Sequence, residues 1–238
     1  MLPKYVVLFL ILFFSCNGEK SLENEFQQLQ SNLTRIADFK EHCERIIKDP
    51  EQSVEKASAI YYMGRFNELF SHYDEAIQFY RYLLILYPDH ELCAESLYRT
   101  GYIYTNNLDK KTEAKIAYNQ LITFYPDSPF AEKALIRHAQ LSCEQKSWHE
   151  AVDFFDIYSK KYPEGNVREE VAFRIADIMQ SGIKDTVKAE SLYTDFIKTY
   201  PRSSWRAFAE EKIDKIQESE VRNQKSRSSE VQNSEGLE

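Results

Sequence analysis

Apolar residues recur along this chain with a short period nested inside a long one. Four helix-like stripes each run up to a Tyr-Pro pair, at Tyr87-Pro88, Tyr125-Pro126, Tyr162-Pro163 and Tyr200-Pro201. Twelve residues before each proline stands Ala76, Ala114, Ala151 or Ala189. Eight before it stands Tyr80, Tyr118, Phe155 or Tyr193, and five before it Leu83, Leu121, Tyr158 or Phe196. Offsets of four and three keep all of these on one face of an α-helix. Each stripe starts beside an acidic residue (Asp74, Glu113, Glu150) and stops at the proline, which cannot continue a helix and disfavours it in the residue before. A second stripe precedes each of these. It carries Ile60 and Met63, Leu97 and Tyr104, Leu135, then Ala172 and Ile175, around a small residue: Gly64, Gly101, Ala139 or Ala176. Glycine inside a helix costs about 1 kcal/mol against alanine, so these positions predict close helix-to-helix contact.

The long period is the spacing of the prolines, 38, 37 and 38 residues, and Pro50 lies 38 before Pro88. Such a period marks a solenoid of supersecondary repeats. The pattern predicts an all-α chain: one long helix over 21–48, four helix pairs over 52–201 and a closing helix over 203–218. Residues 37–50 keep the phase of a second helix, but His42 and Arg45 stand where large apolar residues belong, as in the polar cap of a terminal repeat. Residues 219–238 are almost wholly polar and are expected to be a disordered tail.

Before the repeats, Lys4 precedes an unbroken apolar run from Tyr5 to Phe14, then Ser15 and Cys16. The run is about half the ~20 residues that span a bilayer, so residues 1–15 are expected to be an export signal. Phe13-Phe14-Ser15-Cys16 resembles a bacterial lipobox, although Phe13 replaces the usual Leu. The resemblance implies cleavage before Cys16 and lipidation, including palmitate, of that cysteine. Residues 16–34 are then a lipid-anchored linker and the start of the N-terminal helix, and 35–218 the repeat solenoid. Asn17, rather than Asp, leans toward the outer membrane.

Composition sharpens the picture. Only 6 Gly and 7 Pro among 238 residues leave too few turns for an all-β chain. A net charge of −8 leaves no basic surplus for phosphates, so no nucleic-acid partner is expected.

Each unit resembles the tetratricopeptide repeat: Ala76, Tyr80 and Pro88, with their counterparts, match its spacing. Two features depart from that pattern. The position five before the proline is large, and the unit is three to four residues longer than the usual 34. Longer units ending in Tyr-Pro and followed by a linker such as 127–135 resemble a narrower group. It holds the outer-membrane lipoprotein of the β-barrel assembly machine and the periplasmic coordinator of the Tol-Pal system.

Candidate chemistry is sparse. The glycines form no phosphate loop, and His149-Glu150 lacks the second histidine of a zinc-protease helix. His42, His72, His90, His138 and His149 show no metal-ligand spacing and are expected on the surface or in loops. No catalytic residue, metal site, cofactor or small-molecule substrate is expected. Cys43, Cys93 and Cys143 fall at different phases of the repeat and allow either buried thiols or one disulfide with one thiol left over. Aromatics off the repeat stripes are the candidate partner contacts: Tyr61, Phe66, Phe70, Tyr73, Phe130 and Trp148. The expectation is a non-enzymatic, lipid-anchored periplasmic scaffold binding outer-membrane assembly or envelope proteins. A Tol-Pal-type coordinator, with 21–48 as its coiled coil, and a surface nutrient-capture lipoprotein are the alternatives.

Overall fold

The computed structural model of the chain describes residues 22–27, 36–50 and 55–235, with side chains as far as Lys225. The predicted signal and Cys16 lie outside these. Among the described residues the structure is helical, with no strand and no helix long and apolar enough to cross a membrane. The helices are α1 (residues 22–27), α2 (Ile36–Lys48), α3 (Glu55–Leu69), α4 (Tyr73–Leu86), α5 (Leu92–Asn106), α6 (Lys111–Phe124), α7 (Ala131–Glu144), α8 (Trp148–Lys161), α9 (Arg168–Asp177), α10 (Thr186–Thr199) and α11 (Arg206–Glu235). They form two compact units, one up to Ala134 and one from Leu135, dividing inside α7.

The predicted stripes form the core. Ala76, Ala114, Ala151 and Ala189 are fully buried, as are Tyr80, Tyr118 and Tyr193, with Phe155 at 1% exposure. In the first unit Gly64 and Gly101 lie under the rings of Tyr80 and Tyr118. A β-carbon built on them would stand 2.5 and 2.6 Å from those rings. The glycine of the first helix and the tyrosine of the second are therefore one packing feature, a ring laid on bare backbone.

Each second helix ends the same way. Tyr87, Tyr125, Tyr162 and Tyr200 leave helical geometry with ψ between 54 and 62°, while their N–H groups still donate to the carbonyls of Leu83, Leu121, Tyr158 and Phe196. The following proline enforces this by excluding helical ψ in the residue before it. Each of the four described turns inside a hairpin holds one non-glycine residue in left-handed geometry: Ser71, Asp109, Lys146 and Lys184, with φ from 51 to 70°. The last of these follows a π-helical segment, Ile178–Ile183, that widens the end of α9.

Two expectations are corrected. A single helix over 21–48 would hold residues 26 and 39 about 20 Å apart at 1.5 Å per residue. Instead the Phe26 and Phe39 rings lie 5.9 Å apart, and His42 Nδ1 is 3.0 Å from Glu25 Oε2. α1 and α2 are therefore an antiparallel pair, a further hairpin on the same lattice. Phe26 stands 24 residues before Pro50, just as Gly64 stands 24 before Pro88, and His42 holds the place of Tyr80. Large and small have exchanged sides, so the pair still fills its interface. Second, α11 does not end near 218 but runs to Glu235. Residues 206–235 contain neither Gly nor Pro, and pairs such as Glu211–Lys215 support a largely polar helix.

In the second unit Ala209 and Ile216 of α11 close the core over Phe173, Tyr193 and Phe196. Lys212 of the same helix is ion-paired to Asp177, as suits a capping helix.

Candidate protein-interaction surface

In the first unit the first helix of each hairpin is the more deeply buried and the second presents more of its residues outward, but α3 and α5 each keep one partly exposed edge. On α3 and α5 this edge carries alternating charge. Arg65 and Glu68 lie one turn apart on α3, Glu95 and Arg99 one turn apart on α5, and each is about one-fifth to one-quarter exposed. Arg99 reaches Glu95 Oε1 at 2.7 Å and Glu68 Oε1 at 3.3 Å, and Arg65 stands 3.8 Å from Glu95. Tyr80 donates its hydroxyl proton to Glu68 Oε2 at 2.7 Å, and Arg99 Nε donates to the Tyr61 hydroxyl at 3.3 Å. The Arg65 guanidinium also lies over the Phe26 ring, 4.9 Å from its centroid.

The electrostatics follow from this geometry. Burial raises the Tyr80 hydroxyl well above its ordinary pKa, and the Glu68 carboxylate raises it further. Burial also raises that of Tyr61, against the opposing pull of Arg99 and Arg65. Burial alone would lower Arg99, but Tyr61, Glu68, Tyr80 and Glu95 outweigh it and hold the guanidinium above its usual value. Two arginines face two glutamates, so the formal charges of the cluster balance. At the margins of this ridge Leu69 of α3 and Tyr102 of α5 are exposed, at 43% and 42%. The result is a rigid, charge-balanced surface with two apolar contacts, suited to a polypeptide and unsuited to a polyanion.

Of the six aromatics singled out in the sequence, Tyr61 and Phe66 are core residues, 2% and 7% exposed. They pack against the neighbouring helices, and only the Tyr61 hydroxyl reaches the ridge. The other four are half-buried. Phe70 packs on Phe66 with centroids 4.8 Å apart, and Tyr73 accepts a hydrogen bond from Asn107 at 2.7 Å. Phe130 packs on Tyr98, and Trp148 covers Gly182, where a β-carbon would come within 2.6 Å of the indole. Placement off the stripes thus marks contacts between hairpins or at turns rather than one surface.

His138 is also a correction. It is not at the surface but 3% exposed, stacked on Phe154 with centroids 3.6 Å apart. Cys43, Cys93 and Cys143 are free thiols, and among the described residues no group of His, Cys, Asp or Glu is placed to hold a metal.

Sequence reasoning missed Arg65, Glu68, Glu95 and Arg99 because they do not repeat at one phase of the lattice. The available signal was the run of Glu and Arg at three- and four-residue spacing inside otherwise apolar helices. It also missed an apolar edge at the ends of α4 and α6, where Ile85, Leu86 and Phe124 are 68%, 58% and 69% exposed. Beside them Leu84, Pro88, Leu97 and Tyr125 line a cleft of about 400 Å³.

The tetratricopeptide repeat family model matches residues 95–128 and 170–203. These correspond to the α5–α6 and α9–α10 hairpins, each match ending two residues beyond Tyr-Pro. Together with the hairpin fold they mark these two hairpins as tetratricopeptide-type repeats within a helical solenoid. No curated protein matches the chain by sequence. Similar solved structures include a tetratricopeptide repeat protein from Parabacteroides merdae, 14% identical, with TM-score 0.54 over 89% of this chain and 77% of that one. YrrB, described as a tetratricopeptide-repeat protein with an unusual peptide-binding site, is 13% identical with TM-score 0.51 over 78% and 88%. MamA from Desulfovibrio magneticus is 12% identical with TM-score 0.51 over 79% and 97%. At these identities the likeness is one of fold.

Proposed function

We propose that this chain is a protein-interaction scaffold, lipid-anchored through Cys16 at the periplasmic face of the outer membrane and acting in outer-membrane protein assembly. The observation that carries the scaffold reading is the ridge of α3 and α5. Its charges are fixed in place by mutual pairing and by tyrosine hydroxyls, so little further ordering is needed on binding a partner. An extended or helical peptide of an envelope protein laid along the first helices is the mode of binding. The peptide-binding site named for YrrB supports that choice. The lipobox and the 37- to 38-residue units ending in Tyr-Pro supply the cellular setting. The coordinator alternative drew on a long N-terminal helix as a coiled coil. With α1 folded back on α2 that support is gone.

The test is affinity purification of a C-terminally tagged copy from detergent-solubilised membranes, followed by mass spectrometry. Recovery of a large outer-membrane β-barrel with periplasmic repeat domains is expected. Recovery of Tol-Pal or wall-synthesis proteins in its place would overturn the assembly role and leave the scaffold.

A further inference from the structure

The lattice allows the same position to be compared across repeats. Three residues before the Tyr-Pro proline the chain has Ile85, Thr123, Lys160 and Lys198, and two before it Leu86, Phe124, Lys161 and Thr199. In the second unit these helix ends are cationic or hydroxylic, as solvated ends are. In the first they are largely apolar, yet they do not enter the core: Ile85, Leu86 and Phe124 are each more than half exposed. An exposed apolar cluster at positions that are elsewhere polar implies a covering surface.

Topology identifies that surface. Successive helices of the first unit run antiparallel, so α1, α3 and α5 begin, and α2, α4 and α6 end, at one edge. Two contacts along this edge confirm it. The Lys56 ammonium at the start of α3 donates to the Asp49 carbonyl just after α2, and the Tyr125 hydroxyl after α6 donates to the Pro88 carbonyl after α4 at 2.7 Å. Ile85, Leu86 and Phe124 stand on this edge. The chain enters the unit there too, because Leu22, at the start of α1, is buried at 1% exposure. Leu22 stands only six residues after Cys16. Fully extended, that stretch reaches about 20 Å.

We propose that this apolar edge of the first unit lies against the phospholipid bilayer, with Ile85, Leu86 and Phe124 dipping into the boundary between headgroups and acyl chains. The inference rests on lipidation of Cys16. The acyl chains set the edge within about 20 Å of the membrane, and the three side chains supply the second contact that a short tether makes effectively intramolecular. Tyr82, at 55% exposure one turn before Leu86, is an amphipathic ring of the kind found at such a boundary. Asp89, Glu91 and Asp127 border the edge, so contact with zwitterionic lipid is expected without any need for anionic lipid.

The full chain, purified from bacterial membranes and reconstituted in phosphatidylcholine vesicles with a photoactivatable group in the acyl chain, tests this by mass spectrometry of lipid adducts. Adducts are expected on Ile85, Leu86 and Phe124. The combined Ile85→Glu, Leu86→Glu, Phe124→Glu variant should cut adducts on this edge about tenfold, the change that corresponds to roughly 1.4 kcal/mol. Val187→Glu, at an apolar residue 74% exposed in the second unit, should change nothing there. The mass of the N-terminal peptide reads lipidation separately. An unacylated peptide would overturn the anchor and this inference with it. An acylated peptide without adducts on the edge would overturn the inference alone. So would shielding of the edge by a co-purified protein in the absence of lipid adducts.

Discussion

Gly64 is where a single atom decides the packing of a hairpin. In an isolated helix alanine would be the better residue by about 1 kcal/mol. Here its methyl group would meet the Tyr80 ring at 2.5 Å, and that ring is fully buried with its hydroxyl held by Glu68. Overpacking of this kind costs about 1–3 kcal/mol. Gly64→Ala is predicted to lower stability by about 1 kcal/mol, read as a lower urea midpoint at unchanged slope. A raised midpoint would show that the ring yields freely. Cys43 gives a second prediction at this scale. Burial, then the nearby Glu25 carboxylate, push its thiol up to about 12 from an ordinary 9.0. A folded value above the unfolded one means that its contribution is whole below pH 9 and is lost as pH rises toward 12. Stability of the wild type should therefore fall between pH 8 and 11 more steeply than that of Cys43→Ala, compared by denaturant titration at both values. Equal falls would show that the thiol titrates alike folded and unfolded.

At the scale of the element, α1 and α2 show what a lattice can and cannot tell. The phase of Pro50 was legible, and it gave residues 37–50 the register of a second helix, although the pattern over 21–48 predicts one helix. The fold-back of α1 was not legible, because residues that pair across a hairpin and residues on one helix face both recur at three- and four-residue spacing. The exchange of Phe26 for glycine and His42 for tyrosine hid the repeat further. The pairing is checked by a double-mutant cycle on Phe26→Ala and Phe39→Ala. Each alone should cost about 3–5 kcal/mol as a buried phenylalanine. Their coupling should be about 0.5–1.5 kcal/mol, the value of an aromatic pair in contact. Strict additivity would place the two rings apart. The repeats proper were legible down to the residue because alanine, aromatic and proline recur at fixed offsets. The ridge was not, because Arg65, Glu68, Glu95 and Arg99 form one cluster from two dissimilar helices, and a cluster that occurs once has no period.

At the scale of the whole molecule, the account is of a repeat scaffold whose first unit offers a fixed, charge-neutral ridge between two exposed apolar residues. Removing the ion pairs would disturb the fold as well as the surface, since Arg65 covers Phe26 and Glu68 anchors Tyr80. The exposed flanks are the cleaner probes. Leu69 and Tyr102 lie at the margins of the ridge, and their replacement leaves the core intact. Affinity purification with the tagged Leu69→Glu, Tyr102→Glu double variant, beside the wild type and with helix content matched by circular dichroism, tests the central claim most directly. The account predicts that the variant folds and remains in the membrane fraction but loses at least about tenfold of the partner, as a hot-spot pair should. Full recovery of the partner by the folded variant would contradict it.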